Sequence, residues 1–339
     1  WAAVVRAKEN VGFTVPTRIS VNEAQILYLV ENENRGKLLF ITDYASKSST
    51  LISDENIVEF AVAPNQTDIA YVIQNSNIEN EIWLLNLESR ESKKISSCEN
   101  ATCSGLVWSP DGNKIMYEKL DGNGTGFSAL WWIDITTNEE APVFQESQLP
   151  SGNARWSPNG EWLSYATPEG IRLYNLENSE TRLIENILGG AVIWSPNSKM
   201  ILLRDVVIRH DQFVTQLFLY EIENEKIYHL NPNDAMENIL AAWSPNGEII
   251  AVVRRDLSIP RGDQIWLMNA DGSEARMITN DPDALHGSLN WSPDGKYLLY
   301  EIYALDVFPF ESKLQVIEIE TLEIQELGIK GFNPMWVWK

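Results

Sequence analysis

The sequence is poor in histidine, with only His210, His229 and His286 in 339 residues. Hydrolysis of the Ser-His-acid kind needs a histidine beside a nucleophile and an acid, and there is no G-x-S-x-G elbow to seat one. Clustered histidines that would hold a catalytic metal are missing too, because the three fall in unrelated local contexts. Cysteine is equally scarce: Cys98 and Cys103 are the only two, too few for a zinc site and without a nearby His. No apolar run approaches the length of a membrane span, and no segment carries a helical hydrophobic period. Positive charge is also in deficit, with 26 Lys and Arg against 48 Asp and Glu and a net charge of −22. Such a field repels phosphate backbones and argues against nucleic acid as a partner. The acids are scattered, as on solvated outer strands and loops, rather than blocked.

What the chain has in plenty is tryptophan, 13 in all, and a phrase that repeats around it. Leu106 to Tyr117 reads LVWSPDGNKIMY. An apolar run ends in Trp108, then Ser109-Pro110-Asp111-Gly112 supplies a preset φ, an Asx turn and a residue tolerant of positive φ. Lys114 to Tyr117 resumes strand spacing, so the phrase describes two antiparallel strands and a tight corner. It returns at Trp156-Ser157-Pro158-Asn159-Gly160, Trp194-Ser195-Pro196-Asn197-Ser198, Trp243-Ser244-Pro245-Asn246-Gly247 and Trp291-Ser292-Pro293-Asp294-Gly295. Two worn copies, Ile19-Ser20-Val21-Asn22 and Val62-Ala63-Pro64-Asn65, precede the intact ones. Starts at 19, 62, 108, 156, 194, 243 and 291 give a period typical of repeat architectures.

Each unit carries two more strand signals, such as Ile265 to Asn269 followed by Arg276-Met277-Ile278-Thr279. Four strands per unit make a blade, and blades around an axis make an all-β propeller. Seven starts predict seven blades. Pro334 to Trp338 reads as a further innermost strand, with Trp338 lying 47 residues after Trp291, and is expected to close the ring beside the N-terminal unit. Ala2 to Arg6 also reads as a strand, which leaves open an eighth blade built from both termini. Residues 1–16 are assigned to an N-terminal segment that packs on or closes the ring, and residues 17–339 to a single propeller domain.

The WSPDG phrase, the later strand IWLMNADG and the strand ARMIT resemble the TolB-like family of β-propellers. Similar repeats occur in the propellers of tricorn-type proteases and prolyl oligopeptidase relatives, whose chemistry lies in a separate hydrolase domain. The resemblance covers residues 17 to 338 and implies a bacterial periplasmic, cell-surface or secreted setting. The first residue, Trp1, suggests a removed signal, and a membrane anchor before residue 1 stays open. The expected role is a monomeric, non-catalytic interaction scaffold for a protein or peptide, without metal or cofactor. The alternative is an enzyme or small-ligand binder using the channel mouth.

Candidate site residues follow from the asymmetry of the repeats. The corners between first and second strands are nearly identical, so function is expected in the unrepeated loops of the opposite face and in the channel mouth they surround. Three long segments there carry Val207, Ile208 and Arg209, then Arg255, Ile259 and Arg261, then Phe308 and Phe310. Apolar, aromatic and Arg side chains are what interface centres enrich. The competing reading is that these loops fold inward and cap the blades. Cys98 and Cys103 are close enough in one loop for a disulfide, with two free thiols as the alternative. Leu120 to Gly126 falls short of a calcium loop, Arg261-Gly262-Asp263 is explained by a turn before a strand, and Asn280-Asp281-Pro282-Asp283 by turn chemistry.

Overall fold

A computed structural model describes residues 21–34, 36–75, 79–122, 128–144, 150–209, 211–230, 235–259, 261–307 and 311–338. The described residues form seven four-stranded antiparallel sheets, the blades of a seven-bladed propeller. Blade 1 holds β1 (Ala24–Asn32), β2 (Gly36–Asp43) and β3 (Ser49–Ser53), completed by the C-terminal β28 (Phe332–Trp338). Blade 2 runs from β4 (Ile57–Val62) to β7 (Ser92–Cys98), and blade 3 from β8 (Ala101–Trp108) to β11 (Glu140–Pro142). Blade 4 runs from β12 (Gly152–Trp156) to β15 (Thr181–Ile184), and blade 5 from β16 (Ile193–Trp194) to β19 (Lys226–His229). Blades 6 and 7 run from β20 (Met236–Trp243) to β23 (Arg276–Met277) and from β24 (Ala284–Trp291) to β27 (Ile324–Lys330). The expected strand Ala2 to Arg6 lies outside the described residues.

The repeated phrase is a turn that satisfies itself. Ser157 is fully buried; its hydroxyl donates to Asn159 Oδ1 at 2.7 Å and accepts the Trp162 N–H at 2.9 Å. Ser109, Ser195, Ser244 and Ser292 repeat both bonds. The corner ends in the left-handed region, at φ 72° for Gly112 and 74° for Gly160, where only glycine is free of a Cβ penalty. Blade 5 places Ser198 there at φ 60°. Its hydroxyl accepts the Asn159 N–H of the neighbouring blade at 3.0 Å, a bond glycine could not make.

Burial is organised by junction. Seven apolar clusters form among the described residues, one between each neighbouring pair of blades. The repeat Trp wedges into these junctions, and in blades 3, 6 and 7 its indole N–H reaches the preceding inner strand, whereas Trp194 donates to Ser164 Oγ at 3.0 Å and the Trp156 N–H is buried without a partner. Trp108 donates to the Ala61 carbonyl at 3.0 Å, Trp243 to Ile193 at 3.3 Å and Trp291 to Ala242 at 3.2 Å. Each acceptor is the residue just before the tryptophan position of the previous blade.

The closing strand differs from the spacing argument by two residues. Trp336, not Trp338, pairs with Ile26 as Trp108 pairs with Ile115, and Trp336 donates to the Asn290 carbonyl at 3.1 Å. The indole N–H of Trp338 is buried without a partner. Two tryptophans two residues apart share one face of a strand, so spacing alone could not choose between them.

Candidate functional site

Where the inner strands meet the axis they leave the regular ladder. The pairing of first and second strands shifts between Ile57 and Glu59, Ser104 and Val107, Gly152 and Arg155, Asn238 and Leu240, and Gly287 and Asn290. It also shifts in blade 1, opposite Leu27 to Leu29. Positive φ at Gly105 (69°), Asn153 (53°), Ser288 (46°) and Asn333 (51°) marks the bulges, all three residues before the repeat Trp. A bulge frees backbone N–H groups from the ladder. Carboxylates of the preceding blades take them up: Glu59 accepts from Leu106 at 3.0 Å, Glu118 from Asn153 at 2.6 Å and Glu301 from Asn333 at 2.6 Å. At Gly105 a Cβ would stand 3.0 Å from Glu118 Oε1, so glycine there leaves room for that carboxylate.

These bulges surround a cavity of about 350 Å3, lined by Glu59, Phe60, Gly105, Leu106, Arg155, Ser288, Leu289, Asn290, Asn333, Pro334 and Met335. The wall is drawn from the three positions before the repeat Trp in blades 1, 2, 3, 4 and 7. Across those positions in all seven blades, Glu59 and Arg155 are the only charged residues. Glu59 is engaged by the Leu106 N–H, and burial, outweighing that bond, pushes its carboxyl above the usual range. Arg155 donates from Nη1 to the Ala154 carbonyl at 2.7 Å, the one hydrogen bond of its side chain among the described residues. Burial lowers its proton affinity despite the attraction of Glu118 and Glu59, yet neither carboxylate comes within 4.0 Å to pair with it. The result is a cavity with apolar patches, amide groups and one guanidinium.

The residues singled out from sequence lie elsewhere, on the face of the variable connections. Val207, Ile208 and Arg209 belong to a strand rather than a loop. β17 (Met200–Arg209) and β18 (Gln212–Glu221) pair along their full lengths, with Val207 opposite Val214, Ile208 opposite Phe213 and Arg209 opposite Gln212. Alternating branched residues paired to the tip account for the extension. Ile208 is 67% exposed and Phe213 76%; Ile259 is 50% exposed, so these three do not fold inward as caps. Arg255, in β21 (Ile249–Asp256), lies 3.6 Å from Glu237, and Arg261 lies 3.3 Å from Asp283. The local excess of positive charge is thus partly neutralised. Phe308 and Phe310 lie outside the described residues, as do His210 and the 123–126 part of the calcium-like loop.

Cys98 and Cys103 are bonded to each other and buried, with Cα atoms 6.1 Å apart. They tie the outermost strand of blade 2 to the innermost strand of blade 3. In Arg261-Gly262-Asp263 the acid is buried; its Oδ1 accepts from the His286 backbone N–H at 2.7 Å and stands 3.0 Å from His286 Nδ1. That pair joins blades 6 and 7. His229 stacks on Phe218, and neither described histidine lines the axial cavity. No cluster of three potential metal ligands occurs among the described residues, and no helix there is long and apolar enough to cross a membrane.

Comparison with known proteins returns β-propellers, some from peptidases and others TolB proteins. No family model matches the chain. The inactive dipeptidyl peptidase 10 of Mus musculus is 23% identical over 194 residues, covering 49% of this chain and 24% of that protein. The uncharacterized peptidase YuxL of Bacillus subtilis is 24% identical over 224 residues, covering 61% of this chain and 31% of the relative. The chain therefore spans between about a quarter and a third of these relatives. Among solved structures, the β-propeller domain of the trilobed protease from Pyrococcus furiosus superposes with a TM-score of 0.67 at 14% identity, covering 91% of this chain and 92% of that one. An acylaminoacyl peptidase from Pyrococcus horikoshii gives 0.65 at 15% identity, over 91% of this chain and 51% of the other. TolB from Acinetobacter baumannii gives 0.58 at 16% identity, over 94% and 68%. The fold is a TolB-like seven-bladed propeller.

These findings correct the expectation of a non-catalytic interaction scaffold. Curated relatives are named peptidases, and peptidase propellers recur among the structural neighbours. The repeated phrase resembles peptidase propellers and interaction propellers equally, because it carries turn chemistry and junction packing common to both.

Proposed function

We propose that the chain is the propeller of a peptidase-type protein and that it receives peptide substrate at its axial cavity. The observation that carries this reading is the cavity at the bulged inner strands, in a fold whose relatives and structural neighbours include peptidases. A pocket of about 350 Å3 is within the range of roughly 300 to 1,000 Å3 for sites that enclose small ligands. It is too narrow for a folded protein and wide enough for a short unfolded segment. Its amides at Asn290 and Asn333 and its exposed bulge backbone suit peptide groups, while Phe60, Leu106, Leu289 and Met335 suit apolar side chains. The exposed sector at Ile208, Phe213 and Ile259 is a docking surface in the same reading, facing the rest of a peptidase assembly. The buried disulfide supports a compartment outside the reducing cytosol, such as the cell envelope or the medium.

The test is native mass spectrometry of the protein with a pool of short synthetic peptides and with folded proteins. Complexes with peptides but not with the folded proteins are expected. A protein that binds no peptide in the pool would end this reading.

A further inference from the structure

In the column immediately before the repeat Trp, the seven blades carry Ala61, Val107, Arg155, Ile193, Ala242, Asn290 and Met335. Small or apolar side chains satisfy that position in five blades, so the ring does not need a cation there. Arg155 nevertheless occupies it, on an inner strand and on the wall of the axial cavity. Half-buried on that wall, the guanidinium loses part of its hydration, a cost that a paired anion offsets. Nothing in the ring does so closely: its bond to the Ala154 carbonyl uses one donor of five. Glu118 and Glu59 neutralise the neighbourhood at longer range, but each is committed to a backbone N–H of the next blade. The remaining donors of Arg155 form a fork that matches a carboxylate.

We propose that the axial cavity binds the C-terminal carboxylate of a short peptide, with Arg155 as its anchoring and specificity-determining residue. The apolar walls at Phe60, Leu106, Leu289 and Met335 then receive the terminal side chains. Asn290, whose Nδ2 donates only weakly to the Ser288 carbonyl at 3.3 Å, and Asn333 face the peptide groups. The peptide part of this inference rests on the function proposed above; the anion-binding role of Arg155 rests on the cavity and the repeat column alone.

Titration calorimetry on the protein with an apolar tripeptide bearing a free C-terminus, and with the same tripeptide amidated, separates the two. Charge-assisted pairing predicts that the acid binds about tenfold or more tightly than the amide. Arg155→Gln is expected to bring the acid down to the affinity of the amide, and Arg155→Lys to retain part of the difference, with thermal melts reporting the fold of each variant. The comparison of acid and amide on the unaltered protein decides the matter even if a variant does not fold. Equal binding of acid and amide would overturn the carboxylate anchor while leaving peptide binding intact. Displacement of the tripeptide by inorganic phosphate at comparable concentration would overturn the assignment to a peptide terminus in favour of a general phosphate site. Failure of both tripeptides to bind, together with an absence of binding by any peptide in the pool, would remove the functional reading itself.

Discussion

Replacing Trp336 with Ala removes the side chain that closes the ring. It is 6% exposed, packs 5.5 Å from the Tyr44 ring and 5.7 Å from Trp338, and bonds the last blade through the Asn290 carbonyl. Truncating a buried Trp costs about 3–5 kcal/mol through lost transfer energy and the cavity left behind. An unfolding entropy of about 2.1 cal/mol/K per residue amounts to about 0.7 kcal/mol/K over 339 residues. The expected fall in melting temperature is therefore about 4–7 °C. Deleting residues 334–339 should do far more. It strips β28 of Trp336, Val337 and Trp338, all buried against blades 1, 2 and 7, and leaves an open sheet edge of the kind that aggregates. Differential scanning calorimetry with size-exclusion chromatography reads both effects. A Trp336→Ala protein that melts within about 1 °C of the parent would refute the closure described here.

Other consequences can be checked more quickly. Ser157→Ala leaves the Trp162 N–H buried without an acceptor and should cost about 1–3 kcal/mol in denaturant unfolding; Ser109→Ala and Ser244→Ala combined should cost about the sum of the single changes, since they sit in blades 3 and 6. Tyr44 and Tyr303 are pushed up to about 12, the first by burial and then by nearby Tyr297 and Glu318, the second by burial and its bond to Glu301. Stability from these neutral phenols is full below pH 10 and lost as pH rises from 10 through about 12, so alkaline melts should fall there; Tyr44→Phe should flatten the slope, and an unchanged slope would refute the cause. Mass measurement after alkylation without reduction should show no label on Cys98 or Cys103, and two labels would contradict the bond. Ile208→Ser and Phe213→Ser, at exposed positions, should leave the melting temperature within about 1 °C of the parent.

Much of the ring was legible because its signals are local. Ser-Pro-Asp-Gly specifies a corner in any context, and the apolar residues spaced around Trp specify a strand pair, so blade number follows from counting. Closure was legible in kind but not in register, because the bulge at Asn333 decides which tryptophan takes the repeat position and a bulge leaves no mark in hydrophobic alternation. The hairpin at Val206 to Arg209 extends past the length of the other second strands, so repeat length alone ends the strand too early; its Val-Val-Ile run and partner Phe213 carry the strand signal. The axial cavity was reduced to a channel mouth ringed by loops, whereas its walls are inner strands inside the repeated phrase. Aligning the copies column by column exposes Arg155 and Glu59 as the exceptions. What no column shows is that Glu118 and Glu301, on second strands, hold the bulges that give the cavity its shape.

Hydrogen exchange read by mass spectrometry, with and without a saturating short peptide, tests most directly whether the axial cavity is where the protein works. Protection is predicted at 58–61, 105–107, 153–155, 288–290 and 333–335, the inner-strand segments that wall the cavity. Protection confined to the 200–221 hairpin or to outer strands, with those inner segments unchanged, would contradict the account.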